Sequence, residues 1–265
     1  MTMKLIVFVF ALLCGGTVLA GSLCVTNRFS SGASLVVRGQ RRAAPSPVLV
    51  WLHGGGLTSG RAFFVDLGDR AILQVSVDYR LMKKDGSVRA EDCIDDAAAA
   101  VAWTLENAGT FGGDPKKVFV SGHSAGGYLT MMVGMDPRWL AKYGHRIGEL
   151  AGLVPVSGQT TKHFNVRAYS GDKDARYLPK IDDLAPLAHV ANAVPPILSI
   201  CGQADYDLPC RTVENRLLIE SLAALGHKGA WFVELPGCTH GTVLCASYSY
   251  IGDFIVGKFA PALKK

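Results

Sequence analysis

The chain has 265 residues, enough for one large domain with a substantial core and short for two. At 49% apolar and 18% charged it has the make-up of a folded globular protein, which excludes a disordered or fibrous class. The formal charge of +5 is dispersed in pairs such as Arg41-Arg42 and Lys116-Lys117, so it describes a solvated surface and offers no tract for nucleic acid.

The N-terminus stands apart. Met1 to Lys4 is short and weakly basic, Leu5 to Leu13 is continuously apolar, and Val18-Leu19-Ala20 places small residues before Gly21. This is the pattern of a secretory signal peptide over residues 1–20, and its apolar run is short for a membrane span. The expectation is an exported protein, secreted or periplasmic, whose residues 21–265 form a single domain. Loss of Cys14 with the leader leaves Cys24, Cys93, Cys201, Cys210, Cys238 and Cys245, an even set in an exported chain. The close pairs Cys201 with Cys210 and Cys238 with Cys245 are the expected disulfides. No Cys-x-x-Cys is present and the histidines do not join the cysteines at zinc-site spacing, so no structural metal is expected.

In chain order, Ser34 to Arg38 reads as a short edge strand. Val48 to Leu52 is an unbroken apolar strand, ended abruptly by His53-Gly54-Gly55-Gly56. Ile72 to Val77 is another, closed by Asp78-Tyr79-Arg80. Glu91 to Asn107 opens with acids and runs through alanines, the pattern of a helix whose exposed first N–H groups favour negative charge. Val118 to Val120, Leu150 to Val156, Ile197 to Cys201 and Trp231 to Leu235 are further strands. Helices are expected over Gly126 to Met135, Arg211 to Leu225 and Ser247 to Phe259. Apolar strands with little alternation, interleaved with helices, predict an α/β fold with a mostly parallel sheet covered on both faces. Residues 157–195 are irregular and are either a small cap or a surface excursion.

Gly122-His123-Ser124-Ala125-Gly126 joins the strand at 118–120 to the following helix. A serine on such a turn is held proud of the sheet, and small neighbours let the turn close. Ser124 is therefore the candidate nucleophile. The glycines after His53 free backbone N–H groups to approach a substrate oxygen, so Gly55 and Gly56, with the N–H of Ala125, are candidate oxyanion donors. His53 itself reads as an organiser of its loop. A serine hydroxyl needs a base, and the base an orienting carboxylate. His240 sits in the loop after the last strand, whereas His227 follows a helix like a surface residue. After the penultimate strand, Asp205 and Asp207 both lie in range. Asp205 is preferred, although composition does not separate them.

His53-Gly54-Gly55-Gly56, Asp78-Tyr79-Arg80, Phe111-Gly112-Gly113-Asp114-Pro115 and Gly122-His123-Ser124-Ala125-Gly126-Gly127 occur in that order. Together they resemble the α/β-hydrolase fold, esterase/lipase branch, close to small feruloyl-esterase-like and kynurenine-formamidase-like enzymes, from about residue 45 to the C-terminus. The resemblance implies a single catalytic domain with at most a small cap, and a triad of Ser124, His240 and Asp205, the last in a glycine-x-alanine-aspartate turn. It implies a serine carboxylesterase acting on short-chain, aryl or acetyl esters, small or attached to a polymer, through an acyl-enzyme, with no cofactor. An arylformamidase-type amidase and an acetyl-xylan or feruloyl esterase are the alternatives.

Overall fold

Val48, Val50 and Leu52 lie on one face of their strand and Leu49 and Trp51 on the other, and all are fully buried. The first set joins a core with α-helices on one side of the sheet, the second a separate core on the opposite side. A strand that is apolar at every position has this consequence: neither face is left to water. The computed structural model describes residues 22–29, 31–40 and 42–260. The leader expected over residues 1–20 lies outside the described residues. Among those described, no helix is long and apolar enough to cross a membrane.

Among the described residues the sheet has eight strands in the order β1-β2-β4-β3-β5-β6-β7-β8. They are β1 (Ser22–Arg28), β2 (Ser34–Gln40), β3 (Ser46–Leu52), β4 (Leu73–Asp78), β5 (Gly113–His123), β6 (Gly152–Val156), β7 (Ile197–Gly202) and β8 (Ala230–Leu235). β1 pairs antiparallel with β2 and β2 with β4, and the pairings from β4 across to β8 are parallel. This is the expected mostly parallel α/β sheet. One element was not expected. β1 covers β2, so the segment 34–40 is not an edge strand. β1 alternates exposed Cys24 and Thr26 with buried Val25 and Asn27 and lacks a continuous apolar run.

Seven α-helices flank the sheet among the described residues: α1 (Ala90–Asn107), α2 (Ala125–Met135), α3 (Pro137–Ala141), α4 (Phe164–Tyr169), α5 (Arg211–Ala224), α6 (Val243–Ala246) and α7 (Tyr248–Ile255). At the start of α1 the Asp92 carboxylate accepts the Arg89 N–H at 2.7 Å, satisfying a donor that has no helical acceptor. Arg80, just after β4, donates through Nε to Asp96 of α1 at 2.7 Å and through Nη2 at 3.0 Å, a fork that ties helix to sheet. The last helical stretch is shorter than its apolar pattern. It splits at Ser247 and stops before Gly257, which adopts φ 72°.

The expected disulfides are absent: Cys24, Cys93, Cys201, Cys210, Cys238 and Cys245 are all free thiols. Sequence proximity misleads here because the partners face different environments. Cys201 is buried in β7, where burial holds its thiol well above the usual range, while Cys210 is exposed at the start of α5. Cys238 is half-buried against the second core, and Cys245 is exposed on α6. Unfolding without reductant in the presence of a maleimide is therefore expected to modify every one of these six cysteines. A pair that reacts only after reduction would contradict the fold described.

Candidate active site

β5 ends at His123, and α2 begins at Ala125. The single residue between them, Ser124, has φ 57° and ψ −113°, a conformation costly for any residue with a Cβ. Two things hold it there. Its N–H donates to the Val156 carbonyl at the end of β6, at 2.8 Å. The flanking glycines also let the turn press against β3. A Cβ on Gly122 would sit 2.5 Å from the Leu52 carbonyl oxygen, and one on Gly126 only 1.9 Å from the same atom.

Ser124 Oγ lies 2.9 Å from His240 Nε2, and His240 Nδ1 lies 2.7 Å from an Asp207 carboxylate oxygen. The carboxylate accepts, so Nδ1 carries the proton and Nε2 is left to accept from the serine hydroxyl. The serine and histidine are those singled out in the sequence. The acid is not: Asp207 takes the place expected of Asp205, which is exposed. The reason lies in the turn after β7. The Asp207 N–H donates to the Gln203 carbonyl at 2.8 Å, so the loop winds like a helical turn. At about 100° per residue, side chains two positions apart then face nearly opposite directions. Asp207 turns inward and Asp205 outward.

Asp207 is held on all sides. Ser157 Oγ donates to its Oδ2 at 2.6 Å, the Gly202 N–H to the same oxygen at 2.9 Å, and the Leu208 N–H to Oδ1 at 2.7 Å. Burial by itself would raise its carboxyl, but the hydrogen bonds from His240 and Ser157 outweigh burial and bring it down to about 2. It is thus a carboxylate throughout the range in which a histidine base works.

Behind it, the first turns of α5 bury Arg211, Thr212, Glu214 and Asn215. Arg211 donates to the Ser157 carbonyl, and its Nε lies 3.2 Å from Glu214. Asn215 donates to the Gly158 carbonyl at 2.7 Å. Ser157 itself has φ 44°, and this network holds it there. Ser157 and the α5 network were not found in the sequence. No pattern marks them, because Val213 and Leu217 on the same helix are exposed while these polar residues are buried.

The glycine loop packs beside the nucleophile. A Cβ on Gly54 would lie 3.5 Å from Ser124 Cβ, and Gly55 and Gly56 take φ 109° and 64°. The Gly55 carbonyl accepts from the N–H groups of Thr58 and Ser59, and the Gly56 carbonyl from Asn165 Nδ2 at 2.8 Å. Ala125 is the first residue of α2, so its N–H has no acceptor within the helix.

His53 organises this loop as expected. It stacks on Tyr79 with ring centroids 4.2 Å apart, its Nδ1 lies 2.6 Å from the Gly54 carbonyl, and Tyr79 donates to its backbone oxygen. Burial lowers its affinity for a proton. His123 has a comparable part that the sequence did not reveal. Its Nε2 lies 2.7 Å from the His240 carbonyl, pinning the base's backbone to the elbow. Burial and the neighbouring His240 push it down to about 4. His227 lies apart, bonded to the Val194 carbonyl.

Residues 36–142 match the BD-FAE family model, which is feruloyl-esterase-like. Esterase LipC of Mycobacterium tuberculosis is 27% identical over 223 residues, covering 74% of this chain and 53% of that protein. Rabbit (Oryctolagus cuniculus) cocaine esterase is 36% identical over 215 residues, covering 77% of this chain and 35% of that protein. Thermogutta terrifontis esterase 2, solved phosphoramylated by tabun, superposes with a TM-score of 0.68 at 21% identity, over 91% of this chain and 97% of the other. The chain has the α/β-hydrolase fold, and its similarities run to proteins of the esterase/lipase branch. The chain spans about half the length of esterase LipC, and less of the cocaine esterase.

The geometry separates the two aspartates of the acid loop. Asp207→Asn would leave His240 with the wrong hydrogen-bond polarity at Nδ1 and is expected to lower kcat on an ester by about 10⁴-fold. Asp205→Asn is expected to leave kcat essentially unchanged. Steady-state kinetics of both variants checks this, and the reverse ranking would refute the assignment of the acid.

Proposed function

We propose that this protein is a serine carboxylic ester hydrolase that works through an acyl-enzyme. The observation that carries the reading is His240, bridging the Ser124 hydroxyl and the Asp207 carboxylate at 2.9 and 2.7 Å. His240 Nε2 takes the Ser124 proton as Oγ attacks the ester carbonyl carbon. Asp207 keeps the ring in the tautomer that can do so and stabilises the imidazolium. The carbonyl oxygen gathers negative charge, which the N–H groups of Gly55, Gly56 and Ala125 receive. The C–O bond then breaks, and the alcohol leaves with the proton from His240. Water, deprotonated by the same nitrogen, releases the acid and restores Ser124.

The substrates proposed are short-chain, aryl or acetyl esters, free or attached to a polymer. The similarity to the BD-FAE family supports aryl and polymer-linked esters as one form of this reading. Export is part of the proposal, resting on the leader-like residues 1–20.

A panel of p-nitrophenyl esters of rising chain length, with methyl ferulate, acetylated xylan and N-formylkynurenine, tests the reading. Short esters are expected to be cleaved fastest, Ser124→Ala to abolish the activity, and the mature chain in the exported fraction to begin at Gly21. Turnover of N-formylkynurenine far above every ester would replace the esterase reading with the amidase one. Activity that survives Ser124→Ala would remove the mechanism.

A further inference from the structure

Beyond the glycine loop, on the side of Asn165, lies a cavity of about 380 Å³. Phe164, Asn165 and Ala168 form one wall, and Lys173, Asp174 and Arg176 the other. Asn165 belongs to both places: it lines the cavity, and its amide donates to the carbonyl of Gly56. The cavity therefore begins one side chain from the loop proposed to hold the oxyanion.

The segment carrying Lys173 and Arg176 is fixed from within. Arg167 of α4 is 3% exposed and gathers the segment around its guanidinium. Its Nε donates to Asp172 at 2.8 Å and its Nη1 to the carbonyl of Leu178 at 2.6 Å, with longer contacts to the carbonyls of Ala175 and Arg176. Arg176 is then laid over aromatic rings, its guanidinium carbon 4.4 Å from the centre of Phe164 and 5.4 Å from that of Tyr177. Phe164 in turn stacks on His163 at 4.4 Å.

Charge accounting singles out two cations. Asp172 is taken by Arg167 and by Lys180, the latter at 2.8 Å, and these partners hold its carboxyl well below the usual range. Asp174 is taken by Lys180 at 2.6 Å. Among the described residues, Lys173 and Arg176 have no ion pair, and the side-chain N–H groups of Arg176 make no hydrogen bond. An arginine stacked on aromatic rings keeps its planar fork of donors, which matches a carboxylate.

We infer that Arg176, aided by Lys173, forms a cationic subsite beside the glycine loop that receives a carboxylate borne by the ester substrate. The preferred substrates are then anionic esters, with the carboxylate on the acyl or the alcohol part. Neutral esters of the same shape leave the subsite unused. This rests on the hydrolase reading above and narrows its substrate class.

Two matched pairs test it: mono-p-nitrophenyl glutarate against p-nitrophenyl pentanoate for the acyl side, and 4-acetoxybenzoate against phenyl acetate for the alcohol side. For at least one pair, the ratio of kcat/KM, anionic over neutral, is expected to fall about 10-fold in Arg176→Gln, chiefly through KM, and to fall with added salt in the wild type. Lys173→Gln is expected to lower it less. Neutral esters cleaved with both ratios unchanged by Arg176→Gln and by the double variant would overturn the subsite while leaving the hydrolase reading intact. No hydrolysis of any of the four would overturn both.

Discussion

The site depends on how tightly the turn after β5 is pressed against the end of β3. The carbonyl of Leu52 lies where side chains at 122 and 126 would be, so both positions must be glycine. That contact leaves Ser124 one available path between strand and helix, and the path has a left-handed φ. The cost of that conformation, of order 1–3 kcal/mol, is met by the parallel pairing of β3 with β5 and by the bond from Ser124 to Val156. The result is a hydroxyl fixed at the carboxyl edge of the sheet, with the first N–H groups of α2 behind it. The glycine loop arrives at the same edge because it is the continuation of β3. Nucleophile and candidate oxyanion donors are thus set by adjacent strands.

The acid and base come from the far half of the sheet and need a different kind of support. Their loops follow β7 and β8 and carry no disulfide, so hydrogen bonds hold them. Asp207 is fastened by Ser157 and by two backbone N–H groups, and His240 by the contact of its carbonyl with His123. The buried Arg211–Glu214 pair supports the Ser157 side of this arrangement. Such a pair adds little net stability, but removing one partner leaves a bare charge in the core at a cost of about 3–5 kcal/mol. Its effect here is geometric: it fixes the carbonyl of Ser157 and so the direction of the Ser157 hydroxyl toward Asp207.

What the sequence disclosed and what it withheld divide along the same physical line. The strands from β3 to β7 were legible because their middles are buried on both faces and so are largely apolar, and β8 because its half-buried edge position still carries an apolar run from Trp231 to Val233. Ser124, His240 and the loop of Gly55 and Gly56 were legible because a sharp turn at a strand end demands glycines in a fixed pattern. β1 was hidden because a half-exposed antiparallel strand mixes Cys24, Thr26 and Asn27 with its single strongly buried valine. The choice between Asp205 and Asp207 was hidden because it is decided by the winding of one turn, set by a backbone hydrogen bond to Gln203. The resemblance pointed to the earlier aspartate, and the hydrogen bond selects the later one. The cysteines misled for a related reason. Spacing along the chain says nothing about whether one thiol faces the core and the other the solvent.

The central claim is that Ser124 is a nucleophile activated by His240. A fluorophosphonate probe reacts with such serines and not with ordinary ones, so labelling of the native protein, mapped by peptide mass spectrometry, tests it most directly. Stoichiometric modification of Ser124 alone, lost on unfolding and sharply reduced in His240→Ala, is the result expected. Absence of labelling in the folded wild-type protein, or equal labelling in His240→Ala, would contradict the account.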